Sequence, residues 1–119
     1  MTDNHALFVA EPKLSLAAGQ LIVDAGVKAA QAVGVPMSIV TVDRGGHVKA
    51  VAHMDGATPL PYEVAYRKAW TAATTGAATA DVHAFISATD GGVLSMPHLP
   101  GFSVVPGGLP IMVDGRCVG

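Results

Sequence analysis

The sequence predicts an α+β domain: an antiparallel sheet with helices packed on one face. Three observations carry this. A long apolar stripe recurs at helical spacing near the start, a β-branched run meets turn chemistry after it, and a second hairpin signal closes the chain. The order reads helix, hairpin, helices, hairpin, and adjacent strands joined by tight turns favour antiparallel pairing.

Residues 1–13 carry no clear period and end in Glu11-Pro12-Lys13, so an arm is expected, with a short strand at Ala6–Ala10. Ser15 is the N-cap of a first helix running to about Val33. Its stripe is Ala18, Leu21, Ile22, Ala25, Ala29, Ala32 and Val33, mostly alanine, so the helix is expected to approach its neighbour closely. Gly34 stops it, and Val35-Pro36 begins an extended segment. Met37–Val42 reads as a strand, Asp43-Arg44-Gly45-Gly46 as its turn, and His47–His53 as the returning strand. Helix signals resume near Pro61 and run to about Thr75, with Gly76 as the stop. A shorter helix is expected from Asp81 to Ser87.

Residues 90–110 are rich in Gly and Pro, so regular structure there is expected to be sparse, and a loop of that length is usually functional. Leu109–Val113 reads as a strand, Asp114-Gly115 as a hairpin turn and Arg116–Val118 as the start of its partner.

At 119 residues the chain is expected to be one domain. Seven Lys and Arg against nine Asp and Glu give a formal net charge of −2. A face that reads phosphates needs clustered cations, so no nucleic-acid partner is expected. Only 13% of the residues are charged while 50% are hydrophobic, and mean hydropathy is +0.45. So little charge cannot cover the surface of a lone chain, and burial against sister subunits is the simplest remedy. The single Cys excludes an internal disulfide framework and a multi-cysteine zinc site. No secretory signal and no membrane span is read, so a cytoplasmic protein with no membrane partner is expected.

The chemistry has few places to sit. His5 lies in the arm, His47 reads as a solvated turn residue, and His83 as a surface or interface residue of the short helix. His53 closes its strand and opens His53-Met54-Asp55-Gly56-Ala57; imidazole and carboxylate two residues apart can share one side of an extended chain. Such a pair can ligate metal or exchange protons, or simply be an edge His beside a capping Asp. His98, between Pro97 and Pro100 in the Gly/Pro-rich loop, is an axial ligand, a general base or a tolerated loop residue. No close pair fixes a metal site by spacing. Lys68 stands among Ala65, Ala69 and Ala72, where a Lys either snorkels past the apolar face or meets an anion in a pocket. Arg67 reads as solvated. Thr71 either returns its hydroxyl to the backbone or joins that pocket. Cys117 reads as a small buried hydrophobe.

Gly34–Ala57, Ala65–Gly76 and Pro106–Gly119 together resemble the GlcG/HbpS-like family, the haem-binding-protein family also found as the C-terminal domain of PduO-type proteins. Asp43, Gly45, Gly46, Met54, Asp55, Gly56, Lys68, Ala69, Thr71, Gly107, Gly108, Pro110 and Gly115 match its pattern, and the resemblance covers about residues 15–119. It implies a profilin-like antiparallel sheet flanked by helices, dimers or larger rings such as octamers, and haem or iron binding. Two departures stand out. The basic position before Met54-Asp55-Gly56 is commonly Arg in the family, and here it is His53. The family's last glycine-rich strand and C-terminal helix do not follow Gly119.

The expected protein is therefore a small homo-oligomeric ligand-binding domain spanning residues 1–119. Its pocket is roofed by residues 90–108 and lined by His53, Asp55, Lys68, Thr71 and His98. The resemblance implies haem as ligand, with Lys68 or Arg67 meeting a propionate and His53 or His98 as axial ligand. The rival reading is a cofactor-independent enzyme of a catabolic pathway acting on a small carboxylated metabolite. There Lys68 anchors the carboxylate, His53 is the base and Asp55 orients it. A structural module with a vestigial pocket is the third.

Overall fold

The computed structural model describes residues 6–89 and 91–119, with only the backbone described at 91–94. His5, the start of the arm and Asp90 therefore lie outside the described residues. The architecture is α+β: α1 (Leu16–Val33), β1 (Ser38–Val42), β2 (Val48–His53), α2 (Leu60–Thr75), α3 (Thr79–Ala88), a 3-10 helix (Gly91–His98), β3 (Met112–Val113) and β4 (Arg116–Cys117).

Local signals set the helix ends. The Ser15 side chain accepts from the Ala18 N–H at 3.1 Å, satisfying one of the free donors of the first turn. At the other end Gly34, at φ 72°, donates to the Gln31 carbonyl while Val35 donates to Ala30, which closes the last turn. Pro61 occupies the first turn of α2, and Gly76 ends it in the left-handed region. Ala6–Ala10 forms a turn and irregular chain in place of the expected strand.

The β1–β2 hairpin pairs Ser38 with His53, Ile39 with Ala52, Val40 with Val51 and Thr41 with Ala50, with a bulge after Thr41. Its turn is organised by one carboxylate. Asp43, 1% exposed, accepts from the Gly45 N–H at 2.9 Å, the His47 N–H at 3.0 Å and the His47 Nδ1 at 3.1 Å. Lys49 Nζ lies 3.7 Å from its other oxygen. Burial pushes the carboxyl's pKa up, but the donors from His47 and Gly45 outweigh it and hold the group below the usual carboxylate range.

Helices lie on both faces of this hairpin, where the sequence led to one. A Cβ on Gly26 would meet Ile39 Cδ1 at 2.8 Å, and one on Gly19 would meet Thr41 Oγ1 at 2.9 Å, so α1 rides on the Ile39/Thr41 face. Ser38 and Val40, on the alternate face, share a cleft with Ala65, Lys68 and Ala69 of α2. The side of α1 that is buried is Gly19, Val23 and Ala30. Most of the alanine-rich stripe points outward, with Leu21 70% and Val33 68% exposed. Glycine, which the apolar count ignores, gives the closer approach.

The second half of the chain is tied to this unit mainly by polar side chains. Val82, Ile86 and Phe102 form a small cluster with Trp70, Ala77, Met96 and Val104 against it. Thr71, fully buried, accepts from the Ser103 N–H at 2.8 Å. Thr79, also fully buried, donates its hydroxyl to the Val105 carbonyl at 2.7 Å and accepts from the Gly108 N–H at 3.0 Å, while its own N–H donates to the Gly108 carbonyl. That clamp lays Gly108 on α2, where an added Cβ would stand 2.5 Å from the Lys68 carbonyl oxygen and 2.7 Å from Thr79 Cγ2. The β3–β4 hairpin turns through Asp114 (φ 50°) and Gly115 (φ 75°), as Asp-Gly predicts. Its ladder is shorter than expected: Val118 donates to Ile111 and Ile111 to Gly119, and Leu109 and Pro110 stay outside it. The Leu14 N–H donates to Val118, so the chain just before α1 is stitched to this hairpin.

Two outcomes follow from these contacts. Gly108→Ala forces α2 and the loop apart and is expected to cost about 1–3 kcal/mol, read from urea denaturation. Asp43 titrates lower in the folded chain than in the unfolded one, so its stabilisation is complete above the ordinary carboxylate range and is lost as pH falls through the folded value. Asp43→Asn is therefore expected to lower stability by about 1.5–3 kcal/mol at pH 7, with the gap to the parent closing below about pH 4.

Candidate functional site

The free edge of β1 makes one wall of the principal cleft. Met54 donates its N–H to the Met37 carbonyl, so Met37 faces β2. By antiparallel alternation the main-chain groups of Ser38 and Val40 then point away from β2, along the open edge. Across the gap stands the Gly107–Leu109 segment held by Thr79, and α2 forms the floor with Ala65, Lys68 and Ala69. The space is about 380 Å³, within the range of small-ligand sites.

Lys68 is its charged residue. The ammonium lies 3.4 Å from the Pro106 carbonyl, and a Cβ on Gly107, at φ 119°, would come within 2.8 Å of Nζ. Glycine at 107 thus gives the ammonium its room and permits the backbone conformation. Among the described residues no carboxylate reaches Lys68. Glu63 instead pairs with Arg67 at 2.9 Å on the exposed side of the helix. A half-buried ammonium facing a mostly apolar cleft can take an anionic ligand.

His53 stands at the end of β2, where the register places it opposite Ser38. Its Nδ1 is 2.5 Å from Ser38 Oγ, and its ring meets Tyr62 of α2 edge-on at 6.4 Å. Ser38 lines the cleft, so the imidazole reaches it through one hydroxyl. Ser38 is the site residue that sequence reasoning missed. It is the polar residue at the head of a β-branched run, but only the register across a bulged hairpin joins it to His53.

The other candidates lie elsewhere. Asp55 sits in the turn after β2, exposed, with no hydrogen bond or ion pair to His53 or Lys68 among the described residues. Thr71 is turned toward the Gly101–Ser103 segment and ties that loop to α2. His98 ends the 3-10 helix, exposed and outside the cleft lining. Among the described residues of the 90–108 loop only Gly107 and Gly108 border the cleft, and Gly101 packs on Trp70 along another side of α2. Cys117 is half-buried, with Sγ 3.4 Å from the Gly119 carbonyl. Among the described residues no group of three His, Cys, Asp or Glu side chains gathers to hold a metal ion. Among the described residues no helix is long and apolar enough to cross a membrane.

Known proteins share this frame. A family model described as haem degrading protein HbpS-like matches residues 14–119. Protein GlcG of Escherichia coli (strain K12) is 30% identical over 106 residues, covering 89% of this chain and 77% of GlcG. The crystal structure of HbpS superposes with a TM-score of 0.86 at 29% identity, covering 99% of this chain and 81% of that one. The crystal structure of the PduOC–haem complex superposes with a TM-score of 0.78 at 26% identity, covering 90% of this chain and 78% of the other. With the model spanning nearly the whole chain, and a relative of this identity and coverage beside it, the chain belongs to the HbpS-like family.

Proposed function

We propose that this protein binds haem or a related tetrapyrrole at the β1–α2 cleft. The observation that carries the reading is Lys68: an ammonium that meets no carboxylate among the described residues, set in a mostly apolar cleft. Support comes from the family, described as haem degrading, and from a relative of the same fold crystallised with haem.

The residues of the cleft meet the needs of the group in kind. Met37, Val40 and Leu109 offer apolar contact to a porphyrin face or edge, and Lys68 suits a propionate, with Arg67 as an outer alternative. His53 is the first axial candidate. Ser38 engages Nδ1 and leaves Nε2 for a metal, the arrangement in which a second contact orients a ligating imidazole. His98 becomes a ligand only by moving toward the cleft. Thr71 supports the site from behind by holding the loop, and Asp55 borders the approach to His53. Bound haem would supply redox-active iron.

The cleft, about 380 Å³, is small for a whole tetrapyrrole, so much of a bound ring would remain outside it. We assign the cover to a sister subunit in a dimer, or in a larger ring such as an octamer. Exposed Leu21, Val33, Leu109 and Met112, and a β1 edge that pairs with no strand but β2 among the described residues, favour such burial. A profilin-like arrangement completed in that way, in the cytoplasm, is the setting we infer.

Titration of the purified protein with haemin tests the reading. A saturable Soret shift is expected, with affinity falling about 3–10-fold in Lys68→Ala, the value of a partly exposed ion pair of roughly 1 kcal/mol. The Soret position is expected to change in His53→Ala. A spectrum indifferent to both substitutions, or no shift in the parent protein, overturns the assignment.

A further inference from the structure

We infer that Ser38 and His53 form a nucleophile–base pair that cleaves small carboxylated esters at the mouth of this cleft. The pair stands on its own geometry and does not rest on haem. Ser38 Oγ lies 2.5 Å from His53 Nδ1, within the reach a general base needs to take a hydroxyl proton. Tyr62 packs edge-on against the imidazole and limits its swing. Ser38 also lines the cleft into which Lys68 projects, so a substrate held by its carboxylate on Lys68 presents its other end to the wall that carries the hydroxyl. The Ser38 N–H, turned to the free β1 edge, supplies a donor for the carbonyl oxygen on which negative charge develops.

The chemistry balances within these groups and water. Ser38 Oγ bonds to the ester carbonyl carbon while its proton passes to His53 Nδ1. Collapse of the tetrahedral intermediate breaks the bond to the alcohol oxygen, which leaves with that proton. Water then attacks the acyl-serine and gives a proton to His53. As the acid departs, the proton returns to Ser38 Oγ, so ester and water become acid and alcohol. The alternative role for the same contact is a latch closing the open end of the β1–β2 hairpin. A latch accounts for the hydrogen bond but predicts no reactivity at Ser38.

The two are separated without haem in the assay, so failure here and failure of the Soret titration are distinct results. The full chain is treated with a fluorophosphonate probe and, separately, with p-nitrophenyl acetate and the p-nitrophenyl monoester of succinic acid. The expected result is a covalent adduct on the tryptic peptide 29–44, in which Ser38 is the only serine, and a burst of nitrophenolate. Ser38→Ala is expected to abolish both, and His53→Gln to slow acylation about 100-fold or more. Lys68→Ala is expected to erase the preference for the succinate monoester over the acetate ester. Melting curves of each variant establish that it is folded. Ser38→Cys, a near-isosteric replacement, adds a second measure: its alkylation by iodoacetamide should be faster with His53 present than in the His53→Gln background. The absence of an adduct in the parent protein, an adduct that persists in Ser38→Ala, or a thiol indifferent to His53 overturns the inference.

Discussion

The cleft exists because Gly108 is pressed against the backbone of α2 at Lys68 and held there by Thr79. The clamp is reciprocal: the Thr79 hydroxyl accepts from the Gly108 N–H and donates to the Val105 carbonyl, and the Thr79 N–H answers the Gly108 carbonyl. With no side chain at 108, the segment comes within contact of the Lys68 carbonyl, and the next position back leaves the ammonium its space. One hydroxyl thus decides where the second wall of the site stands relative to β1. The distance across the cleft, and the direction in which Lys68 projects, both inherit that constraint.

The same economy runs through the interior. Among the described residues the largest fully buried side chains are Val42, Thr71, Thr79 and Asp43, and three of these four are polar. Every buried side-chain polar atom described has a hydrogen-bond partner. A small apolar core gives cohesion but weak orientation, whereas hydrogen bonds at fixed angles specify which loop docks where. Asp43 sets the hairpin turn, Thr71 draws residues 101–103 onto α2, and Thr79 places residues 105–108. Exposed apolar residues remain on the outside of α1 and around β3, and also at Leu7, Phe8, Val9, Leu60 and Phe85, which fits a chain with so little surface charge.

His53 gives the cleft mouth a group that can be a ligand, a base or a hydrogen-bond acceptor. Its pairing with Ser38 serves either use: it frees Nε2 outward and places Nδ1 against a hydroxyl. Metal ligation and acyl transfer at this mouth would compete for one imidazole.

Much of the fold was legible because its signals are local. Ser15, Gly34, Pro61 and Gly76 mark helix ends by satisfying or interrupting the bonds of the turn next to them, and Asp114-Gly115 accepts positive φ without reference to the rest of the chain. The order of elements, the family pattern and the candidacy of Lys68 were available on the same terms. Long-range partners were not. The start of α3 falls at Thr79, ahead of the expected Asp81, and the Thr79 hydroxyl is spent on a segment 26–29 residues away. The outward stripe of α1 and its glycine-lined inner side have the same helical period, so periodicity alone could not say which meets the sheet. His53, Asp55 and His98 read alike as histidines and a carboxylate near turns. The register of a bulged hairpin gave His53 a serine in the cleft, while Asp55 and His98 were left outside the cleft lining. The sequence alone determined which segments turn, coil and extend, because those choices are made within a few residues. The tertiary structure decided which side chains share a site, because that depends on contacts between segments that only the packed chain brings together.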